Sequence, residues 1–450
     1  MTFIPHTDAD REAMLEAIGV KHLEDLFQDV PEKFRFPKLD LPEAITELEA
    51  MAELQDLAWA NETARDMICF LGAGAYNHYT PAAVDSILRR GEFYTAYTPY
   101  QPEISQGTLQ AIFEYQSLIA GLTAMDVSNA SHYDGATAAA ESVNMAFNHF
   151  RGKRRKVILS PGLHPQYRET IRTYTRGSEI EIAGDDEGVD LSAGPQSLIP
   201  LIGETTALVI VQYPDFFGRI DDFNELAEAA HQAGALLAVS TNPMALGLLK
   251  PPGEFGADIV TGEGQPLGLP LSFGGPYLGF FATRTQYVRR MSGRLVGETV
   301  DDRGQRAYVL TLTAREQHIR RDRATSNICT NQGLMALAAT LYLSVLGRHG
   351  LRQVAELCYH KAHYTADQIA SLDGYSLWSE KPFFNEFVVK CPIPASEVNA
   401  HLLNENILGG YDLGQDFPEL KQHLLVAVTE MNSKEDIDSF VDALTEVKHA

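Results

Sequence analysis

The sequence predicts an α/β protein with a mostly parallel, doubly wound sheet, followed by a smaller α+β domain. Short apolar, β-rich runs alternate with helical segments through the middle of the 450-residue chain. That alternation is typical of parallel strands covered by helices on both faces. A chain of 450 residues is also too long to fold around a single simple hydrophobic core. After about residue 331, an Ala/Leu-rich helix precedes short strands, which indicates a separate, smaller domain.

We therefore expect three regions: a helical N-terminal arm over residues 1–60, a large α/β domain over 61–330, and a small α+β domain over 331–450. The arm is acidic, and its apolar residues recur at near-helical spacing. Prolines interrupt it. We expect the arm to lie on another surface.

The strands of the large sheet are expected at short, mostly apolar runs: 157–160, 207–213, 236–240, 258–261 and 279–282. Helices are expected at 164–174 and at 222–233, the second capped by Asp221 or Asp222. In the C-terminal region, we expect a helix at 334–346 and strands at 386–390 and 424–428.

Composition and charge exclude several classes of protein. The net charge of -24 argues against nucleic acid as a partner. No continuous run of about 18 apolar residues is present, so we expect no membrane span. The first residues lack a basic region followed by an apolar stretch, and we therefore expect a cytoplasmic protein. The four cysteines show no metal-like spacing, so we expect buried thiols and no metal site.

A tyrosine-rich segment forms the first candidate functional element. Residues 93–107 contain Tyr94, Tyr97 and Tyr100, together with prolines and side-chain donors such as Gln101. Proline restrains such a loop, and tyrosine combines a flat apolar face with a polar tip. The following helix has Ser105 as a candidate cap. From composition, a structural loop and a functional loop are equally good interpretations.

Two further segments suit a phosphate or a planar ring. Gly135 opens an alanine-rich helix whose free N–H groups could receive a phosphate, with Thr137 adding a hydroxyl. The simpler interpretation, which we favour on composition, is that Asp134 only caps this helix. His164 follows the strand at 157–160 and is placed to stack on a ring, although such a histidine is more often a packed or capping residue.

Two other segments stand out by composition. Residues 262–276 contain five glycines and three prolines, which exclude a helix and indicate either a close-approach turn or an ordinary surface loop. Residues 313–327 carry four arginines in an acidic protein. They indicate either a defined anionic contact, with a carboxylate, a phosphate or an acidic partner, or a solvated helix with local ion pairs.

Together these segments resemble the N-terminal half of the glycine decarboxylase P-protein family. The resemblance extends from Gly72-Ala73-Gly74-Ala75-Tyr76 through Thr325-Ser326-Asn327-Ile328-Cys329-Thr330-Asn331. Its most specific parts are residues 97–107 and 315–329. The resemblance implies the fold of type I pyridoxal phosphate enzymes.

The family occurs either as one long chain with two related halves or as separate subunits of an α2β2 assembly. This chain is long enough for one half only, and it resembles the α subunit. The resemblance implies that the α and β subunits together decarboxylate glycine and pass the aminomethyl group to the lipoyl arm of the H-protein.

The resemblance also shows what this half lacks. Type I enzymes hold pyridoxal phosphate as a Schiff base to a lysine, yet no lysine occurs between residues 251 and 360. Gln265 stands where the catalytic half carries the lysine. The segment Val239-Ser240-Thr241-Asn242 has no acid where, in the family, a carboxylate normally keeps the pyridine nitrogen protonated. We therefore expect pyridoxal phosphate in the β subunit, and none held by this chain.

The same comparison assigns roles to the candidate residues. Thr137, His164, Asn242 and Gln265 match cofactor-binding positions and are expected to be vestigial here. Tyr97, Tyr100 and Gln101 are expected to complete the active site of the partner subunit. Two alternatives remain open: an independent pyridoxal phosphate enzyme that uses another lysine, and a non-catalytic scaffold that stabilises the β subunit or docks the H-protein.

Overall fold

The computed structural model describes residues 6–186, 188–324, 326–330 and 332–447. Thr325 and Asn331, which belong to the segment 325–331 that resembles the P-protein family, lie outside the described residues. The chain divides into two compact units, residues 1–62 and residues 63–450.

The first unit is helical, in agreement with its apolar periodicity. It contains the helices Asp8–Ile18 and Glu47–Trp59, each begun by a threonine in a capping box, and the short 3-10 turns Leu23–Phe27 and Glu32–Phe34. None of its described residues is buried, and apolar side chains such as Leu48 and Trp59 are 80% and 73% exposed. That the arm lies on another surface stays a prediction.

The second unit is built on a seven-stranded sheet. In spatial order its strands are Val127–Ser128, Gly279–Thr283, Ile259–Glu263, Leu236–Thr241, Thr206–Tyr213, Lys156–Leu159 and Glu181–Ala183. The last five in that order are mutually parallel, while Gly279–Thr283 pairs antiparallel with its two neighbours. The predicted strands are confirmed to within two residues, because their apolar runs are buried on both faces.

Alternation along one strand shows why both faces of this sheet are covered. Val209 and Val211 pack into the core on one face, whereas Leu208 and Ile210 pack into the core on the other face. Burying aliphatic side chains on both faces is the main source of stability for such a sheet, at about 25 cal/mol per Å² of apolar area.

Helices connect and cover the strands of this unit. The described helices are Ala82–Leu88, Gly91–Tyr94, Gln106–Thr123, Gly135–His149, Pro165–Thr175, Asn224–Gln232, Gln317–Arg320, Gly333–Ala370, Ala395–Asn404 and Lys434–Thr445. Ser105 holds the N-cap position of Gln106–Thr123, as predicted, but its side chain makes no capping hydrogen bond. Neither predicted aspartate is the cap of Asn224–Gln232; Phe223 holds that position, while the Asp222 carboxylate accepts from the Asn224 N–H.

The C-terminal part adds a second, four-stranded antiparallel sheet. Its order is Ser376–Leu377, Glu386–Lys390, His423–Ala427 and Tyr411–Asp412. Two smaller pairings complete the unit: the hairpin Leu295–Val300 with Arg306–Thr311, and the parallel pair Ile68–Cys69 with Ile407–Leu408.

The helix Gly333–Ala370 is much longer than the predicted 334–346 segment, and it bends at Gly347, where φ is +58°. By length and apolar composition alone this helix could cross a membrane, although it contains no continuous apolar run of about 18 residues. Its side chains are used in the core instead. Tyr342 packs against the large sheet, and Ile369 packs against the antiparallel sheet. Core packing therefore accounts for its apolar character.

Candidate functional site

The carboxyl ends of the parallel strands bring two of the vestigial candidates, His164 and Asn242, to one space, as a doubly wound sheet requires. Thr137 and Gln265 do not line that space. His164, Asn242, Glu263 and the loop 72–76 all border one space there, which we call the cleft. Its cavity measures about 30 Å³. Pockets for organic ligands usually measure about 300–1,000 Å³, so the side chains of this chain already fill the cleft.

Gln265 is completely buried, and it precedes Pro266, which lines the cleft. Its carbonyl oxygen accepts from the Tyr76 N–H at 2.8 Å, and its amide nitrogen donates to the Tyr76 carbonyl at 2.9 Å and to the Leu269 carbonyl at 2.8 Å. An amide satisfies this mixture of donors and acceptors, whereas an ammonium has donors only. Gln265 therefore fastens the loop 72–76 in place.

Glu263 occupies the helix start that sequence analysis considered for a phosphate. Its carboxylate accepts from the backbone N–H of Gly135, the first residue of Gly135–His149, at 3.0 Å, and from those of Gln265 and Leu278 at 3.0 Å. An anion at a helix N-terminus is stabilised by the free N–H groups and the helix dipole. The chain thus places its own carboxyl group there.

Asp134 and Thr137 complete this helix start. The Asp134 carboxylate accepts from the Thr137 N–H at 2.7 Å, and the Thr137 hydroxyl lies 2.9 Å from the same oxygen. The structure therefore contains the cap that composition favoured. Glycine is needed at Gly135, because a Cβ there would lie 2.8 Å from the Glu263 backbone nitrogen.

His164 is placed after its strand as predicted, but both ring nitrogens are engaged. Nδ1 accepts from the Gln166 N–H at 3.1 Å, so Nε2 carries the proton and donates to the Ala73 carbonyl at 2.9 Å. The ring of Tyr167 stacks on the imidazole at 4.9 Å. Burial lowers the pKa of His164, which favours the neutral ring.

Asn242 lies at the end of Leu236–Thr241 and holds a turn. Its side-chain oxygen accepts from the Met244 N–H at 3.0 Å. An amide or hydroxyl at this strand end cannot balance a protonated pyridine nitrogen. Neither Gln265 nor Asn242 fits pyridoxal phosphate chemically, and the filled cleft does not fit it sterically.

Glu386 contacts the loop 72–76, and its role was not predicted from the sequence. Its carboxylate accepts from the Ala73 N–H at 2.7 Å and from the Tyr76 hydroxyl at 2.6 Å, which fixes the loop 72–76 from a second side. Burial raises the pKa of Glu386 to about 7, and it raises the pKa of Glu263 to about 7 as well.

The raised pKa of Glu386 predicts a pH-dependent stability. The folded state binds the proton between pH 4.5 and about 7, where the unfolded carboxyl has lost it, so stability falls as pH rises through this window. Gln at this position has no charge; its oxygen can accept from the Ala73 N–H, and its amide nitrogen can donate to the Tyr76 hydroxyl oxygen. Relative to the parent, Glu386→Gln should gain up to about 3 kcal/mol between pH 4.5 and 8. Denaturant titrations across that range measure the difference. A constant difference contradicts the assignment.

The tyrosine loop, residues 93–101, presents aromatic side chains outward. Tyr97 is 87% exposed and Tyr100 is 49% exposed, Gln101 is exposed, and Pro99 is buried beneath them. The loop borders a cavity of about 280 Å³ that also contacts Cys329. Its exposed, anchored rings are available to a second molecule.

Arg294, which sequence analysis missed, connects the tyrosine loop with the arginine-rich segment. Its side chain donates to the Tyr100 hydroxyl at 3.2 Å and lies 3.5 Å from the Glu316 carboxylate. His318 approaches the Tyr100 ring edge-on. The two segments that seemed independent in the sequence therefore form one surface.

His78, Cys358 and Glu430 form one cluster with donor atoms close enough for a metal, within the part of the chain that the structure describes. The Glu430 carboxylate already accepts from the His78 ring at 2.7 Å and from the Tyr79 N–H at 2.7 Å. The Cys358 thiol lies 3.4 Å from the same carboxylate. These contacts account for the cluster as a buried hydrogen-bonded group. That the chain has no metal site stays a prediction.

Comparison with known proteins supports this arrangement over the whole chain. Residues 1–444 match the glycine cleavage system P-protein family. A probable glycine dehydrogenase (decarboxylating) subunit 1 of Thermomicrobium roseum is 55% identical over 446 residues, which cover 99% of both chains. The crystal structure of a glycine decarboxylase (P-protein) of the glycine cleavage system, in inhibitor-bound form, is 43% identical, with a TM-score of 0.92 and complete coverage of both chains.

A glutamate decarboxylase of Lactobacillus brevis has the same fold at 13% identity, with a TM-score of 0.67 and coverage of 92% of this chain and 95% of its own. The predicted type I pyridoxal phosphate fold is thereby confirmed. Because the family match and the 55% identity extend over nearly the full length, the chain belongs to the glycine cleavage system P-protein family.

Proposed function

We propose that this chain is subunit 1 of a glycine dehydrogenase (decarboxylating), and that it acts only with a partner subunit that holds pyridoxal phosphate. The name of its relatives supports the reaction and the need for a partner. The filled cleft carries the second part of the proposal. Gln265 and Glu263 occupy the places that a lysine and a phosphate would need.

The proposal includes the assembly that the family resemblance implies. Two copies of each subunit form an α2β2 complex, and the aminomethyl group released by decarboxylation passes to the lipoyl arm of the H-protein. Tyr97, Tyr100 and Gln101 of this chain complete the partner's active site. Their exposure on an anchored loop supports this role, since such rings provide contact area and polar tips at a low entropic cost.

The test is a glycine–bicarbonate exchange assay on purified components. We expect exchange when both subunits, pyridoxal phosphate and H-protein are present, and none with this chain, pyridoxal phosphate and H-protein alone. Exchange by this chain without the partner contradicts the proposal. It would favour an independent pyridoxal phosphate enzyme, whose lysine borohydride reduction would then identify.

A non-catalytic scaffold is the other alternative, and the tyrosine loop separates it from the proposal. A scaffold needs its assembly surface but no catalytic side chain. Variants of the loop that assemble normally and yet turn over slowly therefore support a catalytic contribution. Variants that assemble and turn over like the parent support the scaffold.

A further inference from the structure

A large basic cavity lies beside the arginine-rich segment and outside the cleft. It measures about 600 Å³. Its charged or ionisable lining residues are His149, Arg151, Arg289, Arg290, Arg315 and Arg320. No carboxylate of the described residues lines it, although the chain has 60 acidic and only 36 basic residues. Arginines so concentrated in an acidic protein call for an anionic partner.

The floor of this arginine cavity is built by hydrogen bonds to the backbone. The Arg315 guanidinium donates to the carbonyls of Leu312 and Gly293 at 3.1 Å, and also to that of Met291. Arg320 donates through Nε to the Ala314 carbonyl at 3.1 Å, which leaves its terminal nitrogens available. These contacts hold two positive charges in place before any ligand arrives, which lowers the entropic cost of binding.

The remaining three arginines of the cavity have no ionic partner among the described residues. Arg151, Arg289 and Arg290 are exposed, and none of them makes an ion pair with any described residue. Two carboxylates, Glu316 and Asp258, act on this region, and each already has partners within the chain. Glu316 pairs with Arg294 and His318.

Asp258 is the other carboxylate that acts on this region, and its oxygen binds His231 at 2.9 Å and the Leu237 N–H at 2.9 Å. Burial lowers the pKa of His149, the neighbouring Arg290 lowers it further, and Asp258 raises it. Among the described residues, no carboxylate lines the cavity itself.

We propose that the arginine cavity binds a small ligand of the oligophosphate class, with three or more negative charges. Guanidinium groups match phosphate oxygens bidentately. Five guanidinium groups exceed what one carboxylate or one phosphate can neutralise. A volume of about 600 Å³ suits a compact organic or inorganic ligand. The proposal is independent of the decarboxylation reaction.

Calorimetric titration of the full chain with tripolyphosphate tests the proposal, at an ionic strength of about 0.15 M to screen diffuse attraction. We expect saturable binding at one site per chain, with orthophosphate at least about tenfold weaker. The double variant R289A/R290A should weaken tripolyphosphate binding by about tenfold or more. Both side chains are exposed, so the variant should fold normally.

A second arginine pair provides the matched control. Arg303 and Arg306 are exposed on or beside the hairpin formed by Leu295–Val300 and Arg306–Thr311, and neither lines the cavity. R303A/R306A should therefore keep the parent affinity. Absent binding, or equal losses in the two double variants, overturns the proposal. So does loss of binding when this chain is assembled with its partner subunit, since the cavity would then be an intersubunit contact.

Discussion

Replacing Gln265 by lysine should destabilise the chain by about 3–5 kcal/mol and should not create a site for pyridoxal phosphate. Gln265 is completely buried, and it both donates to and accepts from the backbone of Tyr76. A lysine cannot accept the Tyr76 N–H, and its ammonium would have to be buried where the neutral amide now lies. Denaturant unfolding of the variant measures the loss.

A methionine variant separates the two causes. Gln265→Met removes the three hydrogen bonds but adds no charge, so it should lose less stability than Gln265→Lys at neutral pH. The two variants should converge as the pH rises, because a buried ammonium titrates with a lowered pKa. If Gln265→Lys folds as stably as the parent and develops the visible absorption of an aldimine, the filled cleft is refuted.

Phenylalanine at Tyr97 or Tyr100 should lower turnover of the two-subunit complex by about tenfold or more. The substitution removes only a hydroxyl, so the aromatic contact area that supports assembly persists. Tyr97 presents an exposed hydroxyl, and the Tyr100 hydroxyl is oriented by Arg294 at 3.2 Å. Glycine–bicarbonate exchange measures turnover, and gel filtration measures assembly.

Tyr359→Phe is the matched control for the tyrosine loop. Tyr359 is 36% exposed on the helix Gly333–Ala370 and does not line the cavity beside the loop. Its variant should exchange like the parent. Parent-like turnover in both loop variants would remove the tyrosine hydroxyls from the reaction and leave the scaffold interpretation.

The strands could be predicted because a strand that is buried on both faces consists of a short run of apolar residues. Thr206–Tyr213 lies within one residue of its predicted run, since both of its faces pack into cores. The helix Gly333–Ala370 was predicted too short, because Gly347 reads as an end although the chain continues in helix beyond it. The local sequence pattern therefore predicts which elements form better than it predicts where one element ends and the next begins.

The features of the site that are local in sequence could also be predicted, whereas its long-range contacts could not. The lack of a lysine near Gln265 is readable from the sequence alone, and so is the capping pair Asp134 and Thr137. The contacts of Glu386 with Tyr76 and of Arg294 with Tyr100 span 310 and 194 residues. No local pattern predicts such pairs. Glu263 had a local signal, because it is an acidic residue among glycines at the end of a strand. Its contact with the start of the helix could not be predicted, because that contact depends on where Gly135 lies in the fold.

The most direct measurement locates the cofactor on its chain. The two-subunit complex is incubated with pyridoxal phosphate, reduced with borohydride, digested and analysed by mass spectrometry. We predict a pyridoxyl group on one lysine of the partner subunit and none above background on this chain. A stoichiometric pyridoxyl group on any lysine of this chain would contradict the account.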